Sequence, residues 1–214
     1  MLNLSTKISS GRFRDIYLHP MDENKLVKIL SSDSATPEET NTPFSNLINK
    51  FHTIKISALE RELAGIDLIN EKGLIDSPYF TQYFGKTKTN YGTGIIVERI
   101  DNFYFHDSKT VYDYLCKHKT ITNPNLKAAL KSYFNFLIAN KIYCAGGAPE
   151  NIAIIKTNEN KLGVKAFDVK IYPPKNIWAR IQGVSKSLRR IKKQYSLIIE
   201  TDWNTQPYFI KQSK

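Results

Sequence analysis

The chain has 214 residues, 31 Lys and Arg against 20 Asp and Glu for a formal charge of +11, and 41 % hydrophobic with 12 % aromatic residues. That is enough apolar material to fill a core, which excludes disorder for most of the chain, and the longest apolar runs, such as 94–97, fall far short of the roughly 20 residues of a membrane-crossing helix. Residues 1–7 lack the apolar stretch of a secretory signal, and two cysteines, Cys116 and Cys144, supply neither a disulfide framework nor a cysteine metal cage, so the expected compartment is the cytosol.

Along the chain, the first third predicts strands at 6–9, 15–18 and 25–30, separated by Ser9-Ser10-Gly11 and by the turn composition of 19–24. Residues 31–50 turn to Ser, Thr, Pro, Glu and Asn and are expected to be a flexible insert. A helix follows over 57–72, because Leu59, Leu63, Ile66 and Ile69 recur at spacings of four and three and Gly73 stands just past the end. Strands at 79–85 and 94–100 flank a hairpin-like connection at 87–92.

After Asp101-Asn102 the period becomes helical. Helices are predicted over 108–118, capped by Asp107 or Ser108, and over 125–140. A small hairpin spans 152–167, with strands at 152–156 and 164–167, and a basic helix covers 176–195. The fold class is therefore α+β, with a first part at 1–100 (five-stranded sheet plus one helix) and a mainly helical second part at 101–214, two lobes with a cleft between them where a ligand would sit.

Charge is concentrated late in the chain. From Val169 to Ile199 there is no acidic residue, while Lys170, Lys175, Arg180, Lys186, Arg189, Arg190, Lys192 and Lys193 provide +8. A segment of this kind suits an anionic partner, either nucleic acid, anionic lipid or an acidic protein, or is simply a solvated helix face.

Four separated residues form an ordered set. Lys28 is a single ammonium inside the apolar run Leu26-Val27-Lys28-Ile29-Leu30, and Glu62 lies on the helix that follows. In a protein kinase fold the Lys of the third strand holds the α/β-phosphates of ATP and pairs with a Glu of the next helix. Pro149-Glu150-Asn151 opens a strand where the kinase catalytic loop places its metal-binding Asn, and Asp168 closes the next strand where the second Mg²⁺ ligand belongs. Asn151 and Asp168 are hard oxygen donors of the type and number that Mg²⁺ takes from protein.

The pattern also departs from a kinase. Five residues before Asn151, where the catalytic Asp belongs, stands Gly146, and Glu150 is the nearest carboxylate that could replace that base. Positioned acid–base help is worth about 10²- to 10⁴-fold. Phosphoryl transfer relies mostly on positioning and charge neutralisation, so a slow reaction can survive the loss. The phosphate loop has one glycine, Gly11, followed by Arg12-Phe13-Arg14, which exchanges backbone cradling for guanidiniums able to grip phosphate oxygens. Only 46 residues follow Asp168, too few for an activation segment and a full set of C-terminal helices. The four histidines show no paired metal spacing, and Cys144 has no histidine in its loop.

The stretch Gly11-Arg12-x-Arg14-x-x-Tyr17-x-His19-Pro20, Lys28, Tyr83-Phe84-Gly85, Thr89-Asn90-Tyr91-Gly92-Thr93-Gly94, Pro149-Glu150-Asn151-Ile152 and Trp178 ahead of a basic helix resembles the YrbL family, the bacterial PhoP regulatory network proteins, over residues 4–195. The resemblance implies a minimal two-lobed protein-kinase-like fold with a truncated C-lobe and a catalytic loop that tends to lack its Asp. Two functions are expected from different classes. One is a kinase-like protein binding Mg-ATP in the cleft, either a pseudokinase or a slow atypical kinase, with Lys28, Glu62, Gly11, Arg12 and Arg14 toward the nucleotide and Asn151 and Asp168 toward the metal. The alternative is a non-catalytic module that docks an anionic partner through the basic helix 175–193.

Overall fold

The computed structural model describes residues 1–10, 14–30, 58–142, 148–169, 171 and 177–200. The expected flexible insert, Gly11, Arg12 and Gly146 lie outside the described residues. What is described is a mixed α+β protein: antiparallel sheets of five and two strands, four α-helices and one short 3-10 turn. The chain groups into two compact units, Met1–Leu63 with Tyr83–Arg99, and Ala64–Gln82 with Ile100–Lys214.

The first unit is built on strands β1 (Lys7–Ser10), β2 (Arg14–Leu18), β3 (Lys25–Leu30), β4 (Tyr83–Thr89) and β5 (Gly92–Glu98), in the order β1-β2-β3-β5-β4. Helix α1 (Ala58–Glu71) follows β3 in sequence, and the division between the units falls inside it. Period-2 alternation sorts the strand residues onto two faces. Pairing of Ile16 with Lys28 and of Lys28 with Ile95 puts these residues on one face, where Leu59, Ile95 and Val97 form a small core edged by Leu26, Leu63 and Tyr83. Tyr17, Val27 and Ile29 lie on the other face and are covered by Leu4 and Leu2.

The N-terminal residues are pinned there mainly by Asn90, and Leu2 N also donates to Lys88 O at 2.8 Å. Asn90 accepts from Leu4 N at 2.8 Å, donates from Nδ2 to Leu4 O at 3.3 Å, and donates its backbone N–H to Leu2 O at 3.2 Å. The β4–β5 connection is tighter than the predicted 87–92 loop, because Thr87, Lys88 and Thr89 extend the strand and leave Asn90-Tyr91 as the turn. Gly92 takes φ 107°, a conformation a side chain would resist, and Thr89 Oγ1 donates to Gly92 O at 2.8 Å. At the other end, residues 79–82 stand outside β4, and Phe80 instead bridges to Ala166 in the second unit.

The second unit holds α2 (Val111–His118), α3 (Pro124–Ala139), the 3-10 turn Pro149–Asn151, β6 (Ile152–Lys156), β7 (Leu162–Ala166) and α4 (Ile177–Glu200). Its core is the inward stripe of α3, Leu126, Leu130, Tyr133, Phe134 and Leu137, packed with Ile152, Ile154 and Val164 of the hairpin and with Ile191 and Ile198 of α4. Phe134 meets Tyr195 of α4 edge-on at 5.5 Å between ring centroids. The N-cap of α2 is Thr110 rather than the expected Asp107 or Ser108, because Thr110 with Asp113 three residues later closes a reciprocal capping box: Asp113 N donates to Thr110 Oγ1 at 3.1 Å and Thr110 N to Asp113 Oδ2 at 3.0 Å. Thr110→Ala is expected to cost about 1 kcal/mol, read as a lower urea midpoint, whereas Ser108→Ala should leave the cap intact.

Candidate functional site

Lys28 is held in mid-strand by apolar neighbours on both sides, and only 5 % of the residue is exposed. An ammonium in such a place needs a carboxylate. Glu62, 3 % exposed and one turn into α1, supplies it: Lys28 Nζ donates to Glu62 Oε1 at 2.8 Å. The other carboxylate oxygen, Oε2, is ion-paired with the guanidinium of Arg14 on β2. Each oxygen of one buried carboxylate thus faces a different cation, and the three residues link β2, β3 and α1. Arg14 carries an ion pair that its reading as a phosphate grip does not contain. The signal was its place two residues from Ile16, which pairs with Lys28, so that Arg14 shares the face on which Glu62 lies.

The second pair of expected residues is positioned by the small hairpin. Asn151 closes the 3-10 turn at the entry to β6, and Asp168 follows β7 by two residues. Antiparallel pairing of Ile152 with Ala166 brings these two ends together, and Phe167 N donates to Asn151 O at 3.1 Å. One amide oxygen donor and one buried carboxylate, Asp168 at 7 % exposure, therefore flank the same end of β6 and β7. Both are hard oxygen ligands and fit Mg²⁺, which usually keeps its remaining positions for water and substrate phosphates. No group of three or more His, Cys, Asp or Glu suited to a metal occurs among the described residues.

A residue that sequence reasoning passed over supports this end of the hairpin. Gly65 of α1 lies so close to the backbone after Asp168 that a Cβ there would stand 2.1 Å from Val169 O. A glycine inside a helical pattern is the signature of close backbone approach, and Gly65 sits three residues after Glu62.

Glu150, the candidate replacement base, is exposed in the 3-10 turn, which packs on α2. On α2 the Tyr112 hydroxyl is held above its ordinary pKa, first by its hydrogen bond with Cys116, then by burial, with the charge of Glu150 adding to the effect. Cys116 is exposed and carries no disulfide. On α4 the inward stripe of Leu188, Ile191, Tyr195, Ile198 and Ile199 meets the core, and Arg189, Arg190, Lys192 and Lys193 are exposed.

No helix among the described residues is long and apolar enough to cross a membrane. Among curated proteins none matches this chain. The family described as PhoP regulatory network protein YrbL matches residues 1–201. With nearly the whole chain matched, and with the strand, turn and hairpin residues that carry the resemblance in the elements described above, this protein belongs to the YrbL family of PhoP regulatory network proteins.

Proposed function

We propose that this chain is a minimal kinase-like protein that binds Mg-ATP and acts as a pseudokinase or a slow phosphotransferase. The observation that carries the reading is the buried ion pair of Lys28 with Glu62, 2.8 Å between Nζ and Oε1, from the third strand to the next helix. A lysine and glutamate on these two elements orient nucleotide phosphates in kinases. The fixed ammonium of Lys28 serves the α/β-phosphates, Glu62 orients it, and Arg14 holds the second oxygen of Glu62. Asn151 and Asp168 provide the oxygen donors for Mg²⁺, which when bound neutralises phosphate charge. Gly146 in place of the catalytic Asp removes the usual proton acceptor, so transfer is expected to be slow, with Glu150 the nearest carboxylate.

Thermal unfolding with and without Mg-ATP tests this. At about 100 times the Kd, binding stabilises by about 2.7 kcal/mol, which for a chain of this size raises Tm by about 5–10 °C. Lys28→Met and Asp168→Asn, each compared with its own ligand-free Tm, are expected to lose the shift. An equal shift in both variants, or none in the unaltered protein, would overturn nucleotide binding. Gly146→Asp is expected to raise phosphoryl transfer by 10²-fold or more, roughly what a positioned base contributes.

A further inference from the structure

The charge of this protein belongs to its second unit. Residues 64–82 and 100–214 contain 20 Lys and Arg against 11 Asp and Glu, which is +9 of the total +11. Within it residues 188–199 of α4 are divided sharply. At 100° per residue, Leu188, Ile191, Tyr195 and Ile198 fall on one side of the helix and are held in the core, while Arg189, Arg190 and Lys193 fall opposite and Lys192 lies exposed at the edge of the apolar stripe. All four cations are exposed, and no ion pair joins any of them to an acid among the described residues. Sequence explains this, since 169–199 contains no Asp or Glu and Glu200, the last residue of the helix, stands seven residues past Lys193.

We propose that this outward face of α4 docks the phosphodiester backbone of nucleic acid, without base readout. Charge density is the first reason. Four cations in five residues occupy about 6 Å of helix rise, one per roughly 2 Å, close to the one phosphate per roughly 1.7 Å of duplex axis. Arg189 and Arg190 add forked donors that match phosphate oxygens in pairs.

The second reason is that the described residues of α4 present no strongly exposed apolar anchor. Helices that lie in a membrane surface bury an apolar face in the lipid, but Leu188, Ile191, Tyr195, Ile198 and Ile199 of α4 already pack in the core, and Leu197, the other described apolar side chain of the helix, is only partly exposed. Protein partners are gripped through an apolar, aromatic centre depleted of charge. The exposed large apolar side chains among the described residues, Met1, Ile8, Met21, Leu30, Phe84 and Tyr91, all lie in the first unit. A face dominated by cations suits a polyphosphate, whose binding is driven by release of condensed counterions. This inference is independent of the nucleotide reading, since it uses none of Lys28, Glu62, Asn151 or Asp168.

Salt dependence tests it directly. The full chain is titrated into a labelled, mixed-sequence DNA duplex, with fluorescence anisotropy read from 50 to 200 mM salt. Four phosphate contacts predict a log–log slope of about −3.5, a loss of affinity of about 10²-fold over that range. The quadruple variant Arg189→Gln, Arg190→Gln, Lys192→Gln, Lys193→Gln is expected to bring the slope near zero. The gentler pair Arg189→Gln with Lys193→Gln should reduce it by about 2, and it keeps the test decisive should the quadruple variant fold poorly. Lys86→Gln with Lys88→Gln, two exposed charges of the first unit, should leave the slope unchanged. The proposal is overturned by no duplex binding at 50 mM salt, by an unchanged slope in the double α4 variant, or by an equal loss in the Lys86 and Lys88 variant. Binding to vesicles containing phosphatidylserine in place of duplex would also overturn it.

Discussion

Glu62→Gln is expected to destabilise the first unit by about 3–5 kcal/mol, because it removes the charge shared by two nearly buried cations. With a urea slope of about 2 kcal/mol per molar, the midpoint should fall by about 2 M, a large part of the 5–15 kcal/mol that holds a typical domain folded. The isosteric amide keeps the packing of α1 on the sheet, so the loss reports charge. Lys28 Nζ is 2.8 Å from Glu62 Oε1, and their side chains are 6 % and 3 % exposed, so solvent screens the pair little. A loss below about 1 kcal/mol, the value of an exposed pair, would refute this account. The companion variant replaces the whole cluster, Arg14→Met, Lys28→Met and Glu62→Leu. Buried ion clusters exchanged for apolar side chains of similar size are commonly neutral or stabilising, so this protein should fold at least nearly as well as the original while losing its response to Mg-ATP. That outcome would separate what the cluster does for stability from what it does for binding.

Gly65→Ala sets two effects of opposite sign against each other. Alanine in a helix interior is favoured over glycine by about 1 kcal/mol. Against this, the new Cβ would lie 2.1 Å from Val169 O and 2.9 Å from Val169 C, both backbone atoms that no rotamer change can move aside. Overpacking of this kind costs 1–3 kcal/mol and occasionally more. The clash should win, with a net loss of up to about 2 kcal/mol and a smaller Mg-ATP shift, since Val169 adjoins Asp168. A protein made more stable by Gly65→Ala would show that the two segments part freely. The same substitution distinguishes helix propensity from close packing, because only the latter ties α1 to the residue after the proposed metal ligand.

Much of this arrangement was legible in the sequence. A lone lysine among Leu26, Val27, Ile29 and Leu30 announces a buried charge, and periodicity placed Glu62 on the next helix, so the pair could be named before its geometry was known. The bridge from Arg14 to Glu62 was harder to see, because register decides which face a strand residue occupies and register is set by partner strands distant in sequence. Gly65 was passed over because helical period alone makes an interior glycine look merely tolerated. The cap at Thr110 was within reach: Thr110-Val111-Tyr112-Asp113 has the spacing of a capping box, but Asp107 and Ser108, also good cap formers, stood nearby. Strand ends shifted for a similar reason. Residues 79–82 have strand composition, yet Phe80 bridges to Ala166 rather than extending β4, and local propensity does not choose between partners.

The amide of Asn90 fixes Leu4 across 86 positions of sequence. At a synthesis rate of about 5–20 residues per second, Leu4 leaves the ribosome roughly 4–17 seconds before the side chain that will hold it. During that interval β3 also lacks β5, its neighbour in the sheet, and residues 64–82 of the second unit emerge before the first unit has all of its strands. The first unit is therefore assembled in the cell from two separated instalments. A pause in translation before residue 98 would lengthen the life of a half-sheet whose Val27 and Ile29 are still open to solvent.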